Sequence, residues 1–225
     1  MTAITSCRRS SSFNLRVGTP WATNSIAGAT FVISGLLIAT HYQFDAAIIG
    51  GFIPRRATGV TLPPELGWLM PVWLTPLTSS LVHAGWVHLG FNLLMFVYCG
   101  REAEKAIGWR GMIPLYVIGA YAAAAGQWAF NPQSMVPRIG ASGAISAVVA
   151  AYALFFGARR AKAIGPIPAN IVHATWLAAA WIGVQLLIGV AGLGDLQIAI
   201  GAHIGGFIAG LLLAKPLLLW RFRKA

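Results

Sequence analysis

A chain of 225 residues that is 57% hydrophobic and 9% charged, with a mean hydropathy of +0.72, is not composed as a soluble domain but as a multi-pass membrane protein. Its net charge of +11 does not point to nucleic acid, because the basic residues gather at the ends of apolar runs, as membrane topology requires. Cys7 and Cys99 give neither a disulfide framework nor a metal-ligand spacing, and no cofactor is expected.

In chain order, residues 1–24 hold Arg8, Arg9 and Arg16 with several Ser and Thr and no acid. The stretch has features of a short transit peptide, and Arg8-Arg9 those of a twin-arginine signal. It is read here as a cytoplasmic tail before a retained first helix. The membrane domain is expected over 25–220, with a basic tail at 221–225. Six apolar segments are drawn: Ser25–Tyr42, Thr78–Cys99, Trp109–Phe130, Ser142–Gly157, Asn170–Gly192 and Gly201–Trp220. Between the first two lies a long connection, Gln43–Leu77, broken by Pro54, Pro63, Pro64, Pro71 and Pro76 and carrying Trp68 and Trp73. It is too polar to span and too apolar for a free loop, so an interfacial or partly re-entrant element is expected.

The Lys and Arg count between segments sets the orientation. With a cytoplasmic N-terminus, 13 of the 16 basic residues fall inside, and only Arg55, Arg56 and Arg138 fall outside. Both termini are therefore expected in the cytoplasm. The fourth segment is short, rising about 24 Å against a hydrocarbon core of about 30 Å. With Arg159, Arg160 and Lys162 pinning its inner end, its outer end should stop below the surface, in a wet hollow covered by protein.

That outer end is Gly140-Ala141-Ser142-Gly143. Ser142 stands at a helix start, among backbone N–H groups without intrahelical partners, a place suited to a developing oxyanion. Taken alone, such a serine equally reads as a cap or a close-packing residue. Other polar residues reach the same depth. His83, His88 and Asn92 occupy the outer half of the second segment. His88 and Asn92 lie one turn apart on one face, with His83 roughly 140° round the same helix. His203 opens the sixth segment, sharing a face with Gly206 and Gly210. Packing that face on Ser142, Ser146 and Ala150 brings His203 to Ser142. Intramembrane ionisable residues mark function by default, although interhelical hydrogen bonding is the alternative for His88 and Asn92. The His spacing is poor for zinc, and no metal is expected. Glu102 and Glu104, with Arg101 and Lys105, read as an inner-side charge cluster, and no carboxylate is placed to orient His203.

Together and in this order, these residues resemble the rhomboid family of intramembrane serine proteases, over about Trp73 to Gly210. The resemblance implies a six-helix bundle that cleaves membrane-anchored proteins in or near their transmembrane segments. It implies Ser142 as nucleophile and His203 as base, an oxyanion hole of His88, Asn92 and the Ser142 N–H, and supporting roles for His83, Gly140 and Gly143. It also implies lateral substrate entry between the second and fifth helices, with Phe91, Trp176 and Trp181 as gate candidates. Membrane lipids and transmembrane proteins are the partners it suggests, in a bacterial inner membrane. Two positions depart from the family pattern: Trp73-Leu74 stands where many members have Trp-Arg, and Ser146 where many have a Tyr that stacks on the histidine. The alternative is a catalytically silent relative that binds membrane clients. A small transporter is disfavoured by the lack of an inverted repeat and of a buried carboxylate.

Overall fold

The computed structural model describes residues 19–61, 63–157, 162–190 and 199–223, and these are helical with no strand among them. Cys7, Arg8, Arg9, Arg16, Arg159 and Arg160, all used in the sequence reading, lie outside the described residues. The long helices are α1 (Trp21–Ala39), α4 (Trp86–Ile107), α5 (Trp109–Phe130), α6 (Ser142–Phe156), α7 (Ala169–Val190) and α8 (Ile200–Phe222). The first connection contains α2 (Gln43–Gly50) and the short α3 (Thr75–Thr78), with 3-10 turns at Pro54–Thr58, Pro64–Leu66 and Ser79–Leu81. Among the described residues, two helices, α1 and α8, are by themselves long and apolar enough to cross a membrane, or three if the bent pair Thr75–Leu81 and Trp86–Ile107 forms one span.

At the centre stands α6, apolar on every side, with every residue from Ser142 to Ala153 buried. A helix without a polar face is stable only when surrounded, and α6 packs against α4, α5, α7 and α8. The third, fourth and sixth segments agree with the sequence reading to within two residues. The second does not. The chain turns through 107° between Leu81 and Trp86, so α4 begins eight residues later than expected and runs on to Ile107. The cause is local: Ser79 Oγ donates to the Pro76 carbonyl and Ser80 Oγ to that of Leu77, at 3.2 and 2.7 Å. Such side-chain bonds compete with helix continuation. His83 therefore sits on the connecting turn and not on the helix of His88 and Asn92.

The other correction concerns Glu104. It is not part of a surface cluster but 4% exposed, and its two carboxylate oxygens accept the N–H groups of Ala22 and Thr23 and the Thr23 hydroxyl, at 3.0, 2.7 and 2.6 Å. Helix α1 has Pro20 before it and no side-chain cap of its own, so α4 supplies the anion that its N-terminus favours. This borrowed cap explains why α1 starts at Trp21 and not Ser25. Only Glu102 and Lys105 form the expected exposed pair, at 2.6 Å. A buried carboxylate is thus present, but a structural one with its oxygens satisfied.

Helix α8 wedges between α5 and α6 through small residues. A Cβ on Gly206 would run into the Gly143 carbonyl, and one on Gly210 into that of Ala147. The α6 face is thus Gly143, Ser146 and Ala147, rotated from the expected Ser142, Ser146 and Ala150 line, because Ser142 at the helix end meets a side chain instead of a backbone. The first connection in turn braces the loop before α6. Phe52 and Arg138 exchange backbone hydrogen bonds of 3.0 and 2.8 Å, and the Gly140 N–H donates to the Ser79 carbonyl at 2.9 Å. Thr78 Oγ1 donates to the Gly50 carbonyl at 2.6 Å. Trp68 and Trp73 project outward from this connection, both exposed.

Candidate active site

Ser142 is the first residue of α6, held there by a strained approach. Gly140 has φ of +106°, and a Cβ at that position would lie 2.7 Å from the His88 ring. Only glycine accepts both the left-handed backbone and the contact. His203, on the first turn of α8, places Nε2 2.8 Å from Ser142 Oγ. Both residues are buried, at 8% and 3% exposure. One turn below, Gly206 meets the Gly143 backbone with no room for a Cβ. His203 Nδ1 is buried and has no hydrogen-bond partner among the described residues, so no described carboxylate completes a triad.

His83 is a brace. Ser34 Oγ donates to the Leu81 carbonyl at 2.7 Å and lies 2.8 Å from His83 Nδ1. Its proton being committed, the serine oxygen accepts the Nδ1–H, which leaves Nε2 bare to accept the Ala141 N–H at 3.3 Å. One neutral tautomer satisfies all three groups and ties α1 to the residue before Ser142. The His83 and His88 rings meet edge to face at 4.9 Å. His88 Nδ1 faces the Ala84 N–H at 3.5 Å, leaving its Nε2 on the Gly140 side. Asn92 is fully buried one turn on. Its amide N–H donates to the His88 carbonyl at 2.9 Å, while Oδ1 has no hydrogen-bond partner among the described residues.

Beside Ser142 opens a hollow of about 430 Å³, open solvent included, lined by Gly143, Ala123, Gln127, Arg138 and Ala202 among others. Partial burial holds the Arg138 guanidinium below its ordinary value, yet such a group stays charged at neutral pH. Of the gate candidates, Phe91 and Trp176 face outward at 37% and 69% exposure, but Trp181 is 2% exposed. Trp181 turns inward, donating Nε1–H to Ser146 Oγ at 3.0 Å and setting its ring edge-on to His203 at 6.4 Å. Sequence reading missed Ser34, Gln127 and this inward turn. The available signal was the same in each case: a hydrogen-bonding group on an otherwise apolar helix, which must find a partner inside.

A family model described as Rhomboid domain matches residues 71–220, from α3 to near the end of α8 and including every candidate site residue. The chain belongs to the rhomboid family, and it is an integral membrane protein with an all-helical fold. It is similar to the rhomboid protease GlpG of Yersinia pestis (strain Pestoides F), 28% identical over 139 residues, which cover 61% of this chain and 45% of that protein. The rhomboid protease GlpG of Photorhabdus laumondii subsp. laumondii is 28% identical over 137 residues, with the same coverage. The chain thus spans about half the length of the curated relatives it matches.

Proposed function

We propose that this chain is an intramembrane serine endopeptidase, cleaving membrane-anchored proteins in or near their transmembrane segments with Ser142 and His203 as a dyad. The observation that carries the reading is the 2.8 Å approach of His203 Nε2 to Ser142 Oγ at a buried helix N-terminus. A hydroxyl is a weak nucleophile until a base takes its proton. Here Ser142 Oγ–H donates to Nε2, and as Oγ bonds to the scissile carbonyl carbon, the proton passes to His203. The resulting oxyanion is met by the Ser142 N–H at the start of α6 and by donors from His88 and Asn92. His203 then protonates the leaving amine as the C–N bond breaks. A water reverses the sequence: His203 takes its proton, hydroxide attacks the acyl carbon, and Ser142 is regenerated with release of the new carboxyl terminus. Gly140 and Gly143 allow the backbone approaches this geometry needs, and His83 holds the entry to α6.

The reading includes six spans made by α1, α4, α5, α6, α7 and α8, now from Trp21 to Phe222 where 25–220 was expected, with the flanking tails both in the cytoplasm of a bacterial cell. A helix α6 of 15 residues, about 22 Å long, supports a Ser142 that lies beneath the outer surface, with the hollow beside it as the route for water. Substrates enter laterally between α4 and α7, past Phe91 and Trp176.

The direct test is labelling by a fluorophosphonate serine probe in detergent. The intact protein is expected to label and Ser142→Ala to remain blank; equal labelling of both would remove Ser142 from the role. Asn92→Ala is expected to lower turnover of a membrane-anchored substrate about 10²-fold with little change in melting temperature. Unchanged turnover would make Asn92 a packing residue. Reporter fusions at both termini are expected to give cytoplasmic signals, with residues 43–77 external. A periplasmic signal from the C-terminal fusion would contradict the orientation.

A further inference from the structure

We infer that Trp181 is a positioning residue for His203, acting with Ser146, and not a lipid-facing gate. The inference rests on the dyad reading and goes beyond it. His203 is held at one nitrogen only, Nε2 on Ser142 Oγ, and Nδ1 has no hydrogen-bond partner among the described residues. A single hydrogen bond lets an imidazole swing about the side-chain torsions, so another contact must select the rotamer. Trp181 supplies it. The indole of this buried residue stands at 66° to the imidazole with ring centroids 6.4 Å apart, an edge-to-face contact of the kind aromatic rings prefer.

The indole is itself fixed from the nucleophile's side. Its Nε1–H donates to Ser146 Oγ at 3.0 Å, and that hydroxyl donates to the backbone carbonyl of Ser142 at 2.8 Å. One side chain from α7 therefore touches the base and is tied through one hydroxyl to the residue that carries the nucleophile. The Ser146 hydroxyl is satisfied within α6 by the Ser142 carbonyl, but the buried indole N–H of Trp181 would be a polar liability without an acceptor. The serine oxygen satisfies that N–H and so fixes the ring edge that meets the imidazole. Ser146 is small enough to admit the indole where a larger residue on α6 would fill the space against His203. Two otherwise odd residues thus make one device.

Four variants separate positioning from packing: Ser146→Ala, Trp181→Phe, Trp181→Leu and the double Ser146→Ala/Trp181→Phe. Each is measured for the rate of fluorophosphonate labelling per folded protein, for kcat and KM on a transmembrane substrate, and for melting temperature. Trp181→Phe and Ser146→Ala each lose the hydrogen bond and keep a ring at position 181. Each is expected to label about threefold more slowly, the scale of a loosened rotamer. The double variant should be no slower than either single one, because both remove the same bond. Trp181→Leu loses ring and bond together and is expected to lower labelling and kcat by about tenfold or more, with KM within twofold of the parent.

Labelling by Trp181→Leu at the parent rate would overturn the inference, as would an effect confined to KM, the outcome a gate predicts. Labelling unchanged per folded protein despite a lower melting temperature would make Trp181 packing alone and equally overturn it. Should Trp181→Leu not fold, Ser146→Ala and Trp181→Phe carry the test on the same threefold criterion. If the intact protein itself fails to label at Ser142, the dyad reading falls and the inference with it, an outcome distinct from an unaffected Trp181 series.

Discussion

Ser142→Ala and His203→Ala are each expected to abolish cleavage of a model transmembrane substrate while leaving a folded, membrane-inserted protein. The double variant should be no worse than either single one. Nucleophile and base act as a unit: without the base the hydroxyl is not activated, and without the hydroxyl the base has nothing to activate, so the losses do not add. A packing role predicts the reverse pattern. Ser142 would then be replaceable by Ala almost silently, since alanine fits the small-residue surroundings of Gly143 and Ala202 as well as serine does. His203→Ala would act chiefly through stability, by opening a cavity where a buried ring now sits between α6, α7 and α8. Cleavage and melting temperature measured in the same detergent separate the two. Robust cleavage by Ser142→Ala would end the serine-protease proposal. Absence of cleavage by the intact protein across many substrates, with clients still captured, would favour the binding alternative.

The parts of this arrangement legible in the sequence are those written in local order. Trp109–Phe130 and the α6 stretch are continuous apolar runs closed by Gly, Asn or Pro, and their ends fall where those residues stand. The approach of His203 to Ser142 was also legible, because Gly206 and Gly210 mark a face that another backbone must meet, and only a small-residue helix start can meet it. What stayed hidden depends on long-range pairing. Nothing near Trp21 announces that Glu104, more than eighty residues later, caps α1, and a carboxylate flanked by Arg101 and Lys105 resembles a solvated charge cluster. The break at residues 82–85 was hidden because Ser79 and Ser80 look like tolerable helix residues until their hydroxyls bond back to the main chain. The inward turn of Trp181, a gate candidate by family resemblance, stayed hidden for a related reason: the hydroxyl that receives its N–H lies on another helix. The hydroxyl is Ser146, one of the two positions that depart from the family pattern.

Gly206→Ala is expected to lower turnover at least 10²-fold and to reduce stability by about 1–3 kcal/mol, the range for overpacking a tight interior. In an open helical position the same change has the opposite sign, since alanine is favoured over glycine by about 0.5–1 kcal/mol in a helix. Gly28 in α1 is such a position, with nothing within 4 Å of a built Cβ, so Gly28→Ala should leave the melting temperature unchanged or raised and turnover intact. At Gly206 the added methyl points at the Gly143 carbonyl and lies 3.3 Å from Ser146 Cβ. Backbone cannot rotate away as a side-chain end can, so α6 and α8 must part by on the order of 1 Å, and a misplacement of that size costs about 10²-fold in a positioned reaction. Gly206 lies one turn below His203 and Gly143 is next to Ser142, so the separation falls on the 2.8 Å dyad contact. The measurement is turnover and melting temperature of both variants beside the parent. A Gly206→Ala protein that cleaves at the parent rate would mean that the α6–α8 approach does not set the dyad distance. Loss of turnover in Gly206→Ala, with Gly28→Ala unaffected, would tie the chemistry at Ser142 to how closely these two helices meet.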